Sequence, residues 1–149
     1  MENAKDIMSN KIISVESDTT GLDIAKLMNK NRVGSIIITK NQKPVGIITE
    51  RDLISKIISQ NQKASDFKAA EIMSLPLVVI SPSTPIDEIA EKMIFNKIRH
   101  VAVLDGNETV GIITVSDFVK HFHSILSSDQ SYNKKLYQDL IEDWEYWAY

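Results

Sequence analysis

Cysteine is absent from the chain, which excludes disulfides and thiolate metal sites and fits a reducing, cytoplasmic setting. No stretch approaches the roughly 18 consecutive apolar residues of a membrane span. The opening residues, Met1-Glu-Asn-Ala-Lys-Asp6, lack the apolar run of a signal peptide. An excess of positive charge is missing too. The formal net charge is −3, which argues against a nucleic-acid face but leaves room for a local basic pocket holding a small anion. There is no Gly-x-Ser-x-Gly elbow and no convincing nucleophile–base pair, so no catalytic residues are expected. His121 and His123 would point to different faces of a helix, and no ligand cluster accompanies them; no metal site is expected.

What is present is a duplication. With 149 residues, 43 % hydrophobic and 25 % charged, the chain suits one globular domain or two small ones sharing a core. Asp6-Ile-Met-Ser9 returns as Glu71-Ile-Met-Ser74, and Gly46-Ile-Ile-Thr-Glu-Arg-Asp52 returns as Gly111-Ile-Ile-Thr-Val-Ser-Asp117. Both are displaced by 65 positions (71 − 6 and 111 − 46). The same offset pairs Ile24-Ala25 with Ile89-Ala90, Met28 with Met93 and Asn31 with Asn96, without a gap. A unit used twice implies that one copy cannot bury its own apolar face.

Each copy reads β-α-β-β-α. A short β-rich run opens it, Ile12-Ile-Ser-Val15 or Leu77-Val-Val-Ile80. In the second copy Thr84 has the character of an N-cap, Pro85 of the first helical residue, and Asp87 follows three after the cap. Ile86, Ile89, Ala90, Met93 and Ile94 then form one amphipathic stripe, and Leu22, Ile24, Ala25, Leu27 and Met28 a less regular one. Two apolar strands follow, joined by the polar turns Lys40-Asn-Gln-Lys-Pro44 and Asp105-Gly-Asn-Glu108. A second helix starts near Thr49 or Thr114 and runs through Leu53, Ile54, Ile57 and Ile58, or Phe118, Val119 and Phe122. Residues 60–69 read as a polar linker, and Met8, Met28, Met73 and Met93 as core fillers.

The element Gly-Ile-Ile-Thr-x-x-Asp ends a strand and opens a helix. Threonine followed three later by an acid is the pattern of a capping box. The same geometry suits a nucleoside. A helix start favours phosphate, the hydroxyl can bond a ribose or phosphate oxygen, and the carboxylate can accept from two vicinal hydroxyls. An acid beside bare phosphate would repel it, so Thr with Asp favours a nucleoside over a plain anion. Capping and binding can coexist.

The strand–Gly-h-h-Thr-x-x-Asp–helix element, the Ile-Met-Ser lead-in and the strand Arg99-His-Val-Ala-Val103 together resemble the cystathionine β-synthase (CBS) domain family. The resemblance covers residues 5 to about 122 as a tandem pair. It implies an α/β (α+β) fold of two βαββα units related by pseudo-two-fold symmetry, with two clefts between packed sheets. In that family the clefts commonly hold AMP, ADP, ATP or S-adenosylmethionine. Carried over by residue, Asp52 and Asp117 are expected at the ribose hydroxyls and Thr49 and Thr114 at the ribose or α-phosphate. Ile13-Ser14 and Val78-Val79 would frame the adenine, and Arg99-His100 would meet phosphates. The first copy departs from this, with Gly34-Ser35 in place of the basic pair; Arg51 either compensates or is simply solvated. Unequal sites are expected, the second depending more on phosphate.

The segments expected are residues 1–62, 63–126 and a helical tail over 127–149. In the tail Leu136, Leu140, Trp144 and Trp147 form an apolar stripe that needs docking, on its own module, across a homodimer or against a regulated protein partner. No enzyme, channel or DNA-binding sequence is recognisable beside the module. The leading expectation is a non-enzymatic adenosine-nucleotide module with no obligatory cofactor, signalling through a partner or through homodimerisation. A ligand-free dimerisation module and an S-adenosylmethionine sensor are the alternatives.

Overall fold

The structure, a computed structural model, describes residues 2–126, with side chains through His123. The helix expected over 127–149 lies outside the described residues. Two units divide the chain, the first ending at Ile113 and the second opening at Thr114.

In the first copy the elements are α1 (Ala4–Ile7), β1 (Ser14–Glu16), α2 (Gly21–Asn31), β2 (Ser35–Lys40), β3 (Lys43–Thr49) and α3 (Glu50–Lys56). β1 runs parallel to β2 with Ser14 opposite Ile37, and β3 runs antiparallel to β2 with Ile37 opposite Ile47. Both faces of this sheet are covered. Ile36, Ile38 and Ile48 turn to one side and pack with Ile24 and Met28 of α2. Ile37 and Ile47 turn to the other. That is why Ile36-Ile37-Ile38 is an unbroken apolar run rather than an alternating one. The β2–β3 connection is tighter than the expected five-residue turn. Asn41 and Gln42 both take positive φ, 52° and 66°, and form a two-residue hairpin loop. Pro44 therefore lies within β3, opposite Thr39 beside a bulge, where its missing N–H is tolerated.

The second copy repeats the plan with α4 (Ala69–Ile72), β4 (Val79–Ile80), α5 (Ile86–Asn96), β5 (His100–Asp105), β6 (Glu108–Thr114) and α6 (Val115–Leu126). Val79 pairs with Ala102, the Ser14–Ile37 register moved by 65 positions. Helix α5 starts one residue later than its sequence suggests. Pro85 holds an extended ψ of 148° and is itself the cap residue. The Thr84 hydroxyl instead accepts from the Ser81 N–H at 3.0 Å. In α2 the cap residue is Thr20, which matches Pro85, and its hydroxyl accepts from the Asp23 N–H at 3.2 Å. Ile94 leaves the expected stripe and is 77 % exposed; Ile89 and Met93 carry the buried face. Asn31 and Asn96 end their helices alike, their amides donating to the Leu27 carbonyl at 2.9 Å and the Lys92 carbonyl at 2.8 Å.

The lead-in segments are exchanged between the copies. Helix α4, which opens the second copy in sequence, buries Ala69 and Ile72 in the core of the first, among Ile24, Ile36, Ile48 and Ile57. Its Ala69 and Ala70 N–H groups donate to Thr19 and Ser17 at 2.8 and 3.0 Å. Reciprocally, Ala4 and Lys5 of α1 donate to Thr84 and Pro82 at 2.9 and 3.1 Å. Ser74 bridges to Ile47 and Ser9 to Ile112, again an exact exchange under the 65-residue offset. The repeated glycine is explained by this exchange. A side chain on Gly46 would begin 2.7 Å from the Met73 sulfur, and one on Gly111 would collide with the Met8 sulfur. The two lead-in methionines fill notches that only glycine leaves open. A further cluster, Ile37, Ile47, Ala102 and Ile112 with Ile12, Leu77 and Leu104, joins the two sheets. Among the described residues no helix is long and apolar enough to cross a membrane.

Candidate functional site

Strand β3 ends in Thr49, whose extended φ and ψ of −110° and 166° hand the chain to α3. The capping box expected from Thr-x-x-Asp forms. The Thr49 hydroxyl accepts from the Asp52 N–H at 3.3 Å, and Asp52 Oδ2 accepts from the Thr49 N–H at 2.9 Å and its hydroxyl at 3.1 Å. The other oxygen, Oδ1, accepts from the Ser74 hydroxyl at 2.8 Å and lies 3.0 Å from Lys56 Nζ. Lys56 Nζ also donates to the Ile72 carbonyl at 2.8 Å. The carboxylate is buried, 7 % exposed. Burial pushes its pKa up, but the Thr49 N–H, the Ser74 hydroxyl and the Lys56 ammonium outweigh it. The carboxyl is held below the ordinary aspartate value.

In the second copy Asp117 Oδ2 accepts from the Thr114 N–H at 2.7 Å and its hydroxyl at 2.8 Å. No hydrogen bond to Asp117 Oδ1 occurs among the described residues. A carboxylate offers about four acceptor positions, two on each oxygen. At Asp52 all of them are engaged inside the protein; at Asp117 the Oδ1 pair takes no hydrogen bond among the described residues.

The strand positions behave alike in both copies. The Ile13 and Val78 carbonyls accept from the Ile37 and Ala102 N–H groups at 2.9 and 3.2 Å, so those carbonyls are committed to the sheets. The side chain of Ile13 packs on the core, while Ser14 and Val79 are exposed at the next position. Arg99 is exposed and His100, half-buried, opens β5. Their counterparts Gly34 and Ser35 carry no charge, and the first copy adds an acid here. The Glu50 N–H donates to the Gly34 carbonyl at 3.0 Å, and its carboxylate carbon lies 3.6 Å from where a Gly34 side chain would begin. Position 115 of the second copy is valine instead. The Arg51 side chain is exposed and forms no ion pair among the described residues.

Sequence reasoning missed Ser74, Lys56 and Glu50. Lys56 stands four residues after Asp52, the spacing of a helical ion pair, and that signal was readable. Ser74 was visible only as part of the repeated lead-in; nothing in its sequence position ties it to Asp52. No cluster of three or more His, Asp or Glu residues with metal-binding geometry occurs among the described residues.

Comparison with known proteins bears on the fold and the family. An uncharacterised protein of Methanopyrus kandleri, MK0525, is 28 % identical over 137 residues, covering 91 % of this chain and 70 % of its own. The CBS domain protein PAE2072 of Pyrobaculum aerophilum, solved in complex with AMP, superposes with a TM-score of 0.71. It is 26 % identical, over 78 % of this chain and 89 % of its own. The CBS domain pair of protein MJ0100, solved with 5′-methylthioadenosine and S-adenosyl-L-methionine, gives a TM-score of 0.73. That pair is 32 % identical, over 83 % of this chain and 98 % of its own. The family model of the CBS domain matches residues 4–59 and again 69–124. The chain belongs to the CBS domain family and carries two tandem copies of that domain.

Proposed function

We propose that the CBS pair is a non-catalytic regulatory module that binds adenosine-containing ligands, reading the ribose through Asp52 and Asp117. The observation that carries this reading is Asp117. The Thr114 N–H and hydroxyl fix its carboxylate through one oxygen, and among the described residues no donor occupies the other, which suits it to accept hydroxyl donors. That is the arrangement vicinal ribose hydroxyls require. The complexes of PAE2072 with AMP and of MJ0100 with methylthioadenosine and S-adenosylmethionine support the ligand class.

Within the reading, Thr49 and Thr114 are the ribose or α-phosphate contacts of their copies, and Ile13-Ser14 and Val78-Val79 frame adenine. Arg99 and His100 are the phosphate-reading candidates of the second copy. The Glu50 carboxylate beside Gly34 makes the first copy less receptive to phosphate charge than the second. Output passes through homodimerisation or a protein partner, with residues 1–62 and 63–126 as the functional halves.

A thermal-shift screen with AMP, ADP, ATP, NAD and S-adenosylmethionine tests the proposal. A ligand at a hundred times its Kd adds about 2.7 kcal/mol to stability and raises the midpoint. A midpoint unmoved by every adenosyl compound defeats it. The second reading is a purely structural cap at Thr49–Asp52, favoured by the full set of internal donors on Asp52; it predicts that unmoved midpoint.

A further inference from the structure

The two ribose-reading aspartates are repeat-matched, yet their surroundings differ at one acceptor oxygen. Asp52 Oδ1 is taken by the Ser74 hydroxyl at 2.8 Å and by Lys56 Nζ at 3.0 Å. Asp117 Oδ1 receives no hydrogen bond among the described residues. The residue matching Lys56 in the second copy is His121, so the lysine belongs to the first copy alone.

We propose that Lys56 and Ser74 are built-in competitors for the ribose, so that the first copy binds a nucleoside only by displacing them from Asp52. The inference rests on the adenosyl-binding reading above and adds what sets the difference between the copies.

The donor count carries it. Two ribose hydroxyls bring two donors to a carboxylate whose roughly four acceptor positions are already filled. Oδ2 is tied to the backbone at Thr49, so exchange must occur at Oδ1. A ribose there displaces a charge-assisted partner and a half-buried hydroxyl, and only the surplus appears as affinity. Lys56 is half-buried, so its ammonium can turn toward water when displaced, whereas Ser74 is held by backbone bonds between Ser74 and Ile47.

The same contacts link ligand to structure. Lys56 Nζ also holds the Ile72 carbonyl at 2.8 Å, and Ser74 stands two residues beyond α4. Taking Asp52 Oδ1 away from both loosens α3 from the exchanged lead-in. Occupancy of the first copy is thereby felt by the segment that leads into the second.

The test is isothermal titration calorimetry with adenosine and with AMP in an Asp117→Asn background, which silences the second copy. Adenosine separates competition at Asp52 from any attraction between Lys56 and a phosphate. Lys56→Met keeps the aliphatic stem and should tighten adenosine binding roughly tenfold. Ser74→Ala should tighten it in the same direction, and decides the matter alone if Lys56→Met does not fold. Adenosine affinity that is unchanged or weakened in the folded variants, while the Asp117→Asn parent binds it, overturns the competitor role and leaves the functional reading standing. Failure of wild type and every variant to bind adenosine or AMP overturns both.

Discussion

The Ser74 hydroxyl and the Asp52 carboxylate come from different copies of the repeat and share a hydrogen bond of 2.8 Å. Ser74 follows helix α4, whose Ala69 and Ile72 are built into the first core. The bond is therefore one of the ties that make each copy incomplete without the other's lead-in. Ser74→Ala removes a donor from a buried carboxylate that retains Lys56. It should destabilise the protein by about 1–2 kcal/mol in urea unfolding. No loss of stability would mean that water replaces the hydroxyl at no cost.

The depressed pKa of Asp52 makes stability depend on acid. A folded-state pKa below the unfolded one contributes stability that is fully present above the unfolded value, about 3.9. That contribution fades as pH falls through the folded value. Urea unfolding between pH 6 and pH 3 should show a loss below about pH 4. In Asp52→Asn that part of the decline should disappear, on a lower plateau at neutral pH. Parallel profiles for the two proteins would show that Asp52 is not linked.

The glycine notches make a size prediction. Gly46→Ala puts a methyl 2.7 Å from the Met73 sulfur and 3.2 Å from the Ser74 carbonyl. Overpacking there should cost about 1–3 kcal/mol. Met73→Ala is itself destabilising, but the pair should cost less than the sum of the single changes, because the methyl then occupies vacated space. Strict additivity in a double-mutant cycle would contradict the notch.

Truncation of Ile72 probes the exchange directly. Its side chain is 1 % exposed within the first core although its sequence belongs to the second copy. Ile72→Ala should cost about 2–5 kcal/mol. In hydrogen exchange the protection of β1–β3 amides should fall with it, more than that of β4 and β5. The reverse order would place α4 with its own copy.

Much of the architecture was legible because duplication doubles every signal. The offset of 65 positions marked the two copies, and the unbroken apolar run Ile36-Ile37-Ile38 lies in a sheet covered on both faces. The capping box at Thr49, and at Thr114 the carboxylate of Asp117 reaching back to the Thr114 N–H, were readable from spacing alone. Helices α1 and α4 were not, because a single turn has no periodicity and stands only by tertiary contact. Their exchange was invisible for a deeper reason. A lead-in packed on its own copy and one packed on the other give the same repeat pattern. At the site, aligning the copies drew attention to what they share, Thr and Asp, and away from Lys56, which they do not. The start of α5 was misplaced by one residue because Pro85 reads equally as first helical residue or as cap.

Recognition of an adenosine ligand through its ribose is tested by isothermal titration calorimetry of the wild-type chain with AMP and with its 2′,3′-dideoxy analogue, which keeps base and phosphate and lacks the hydroxyls. Saturable AMP binding is expected, with the analogue weaker by on the order of a hundredfold, the equivalent of two lost bonds to a charged acceptor. Equal affinity for the two compounds, or no binding of AMP, would overturn ribose recognition by Asp52 and Asp117.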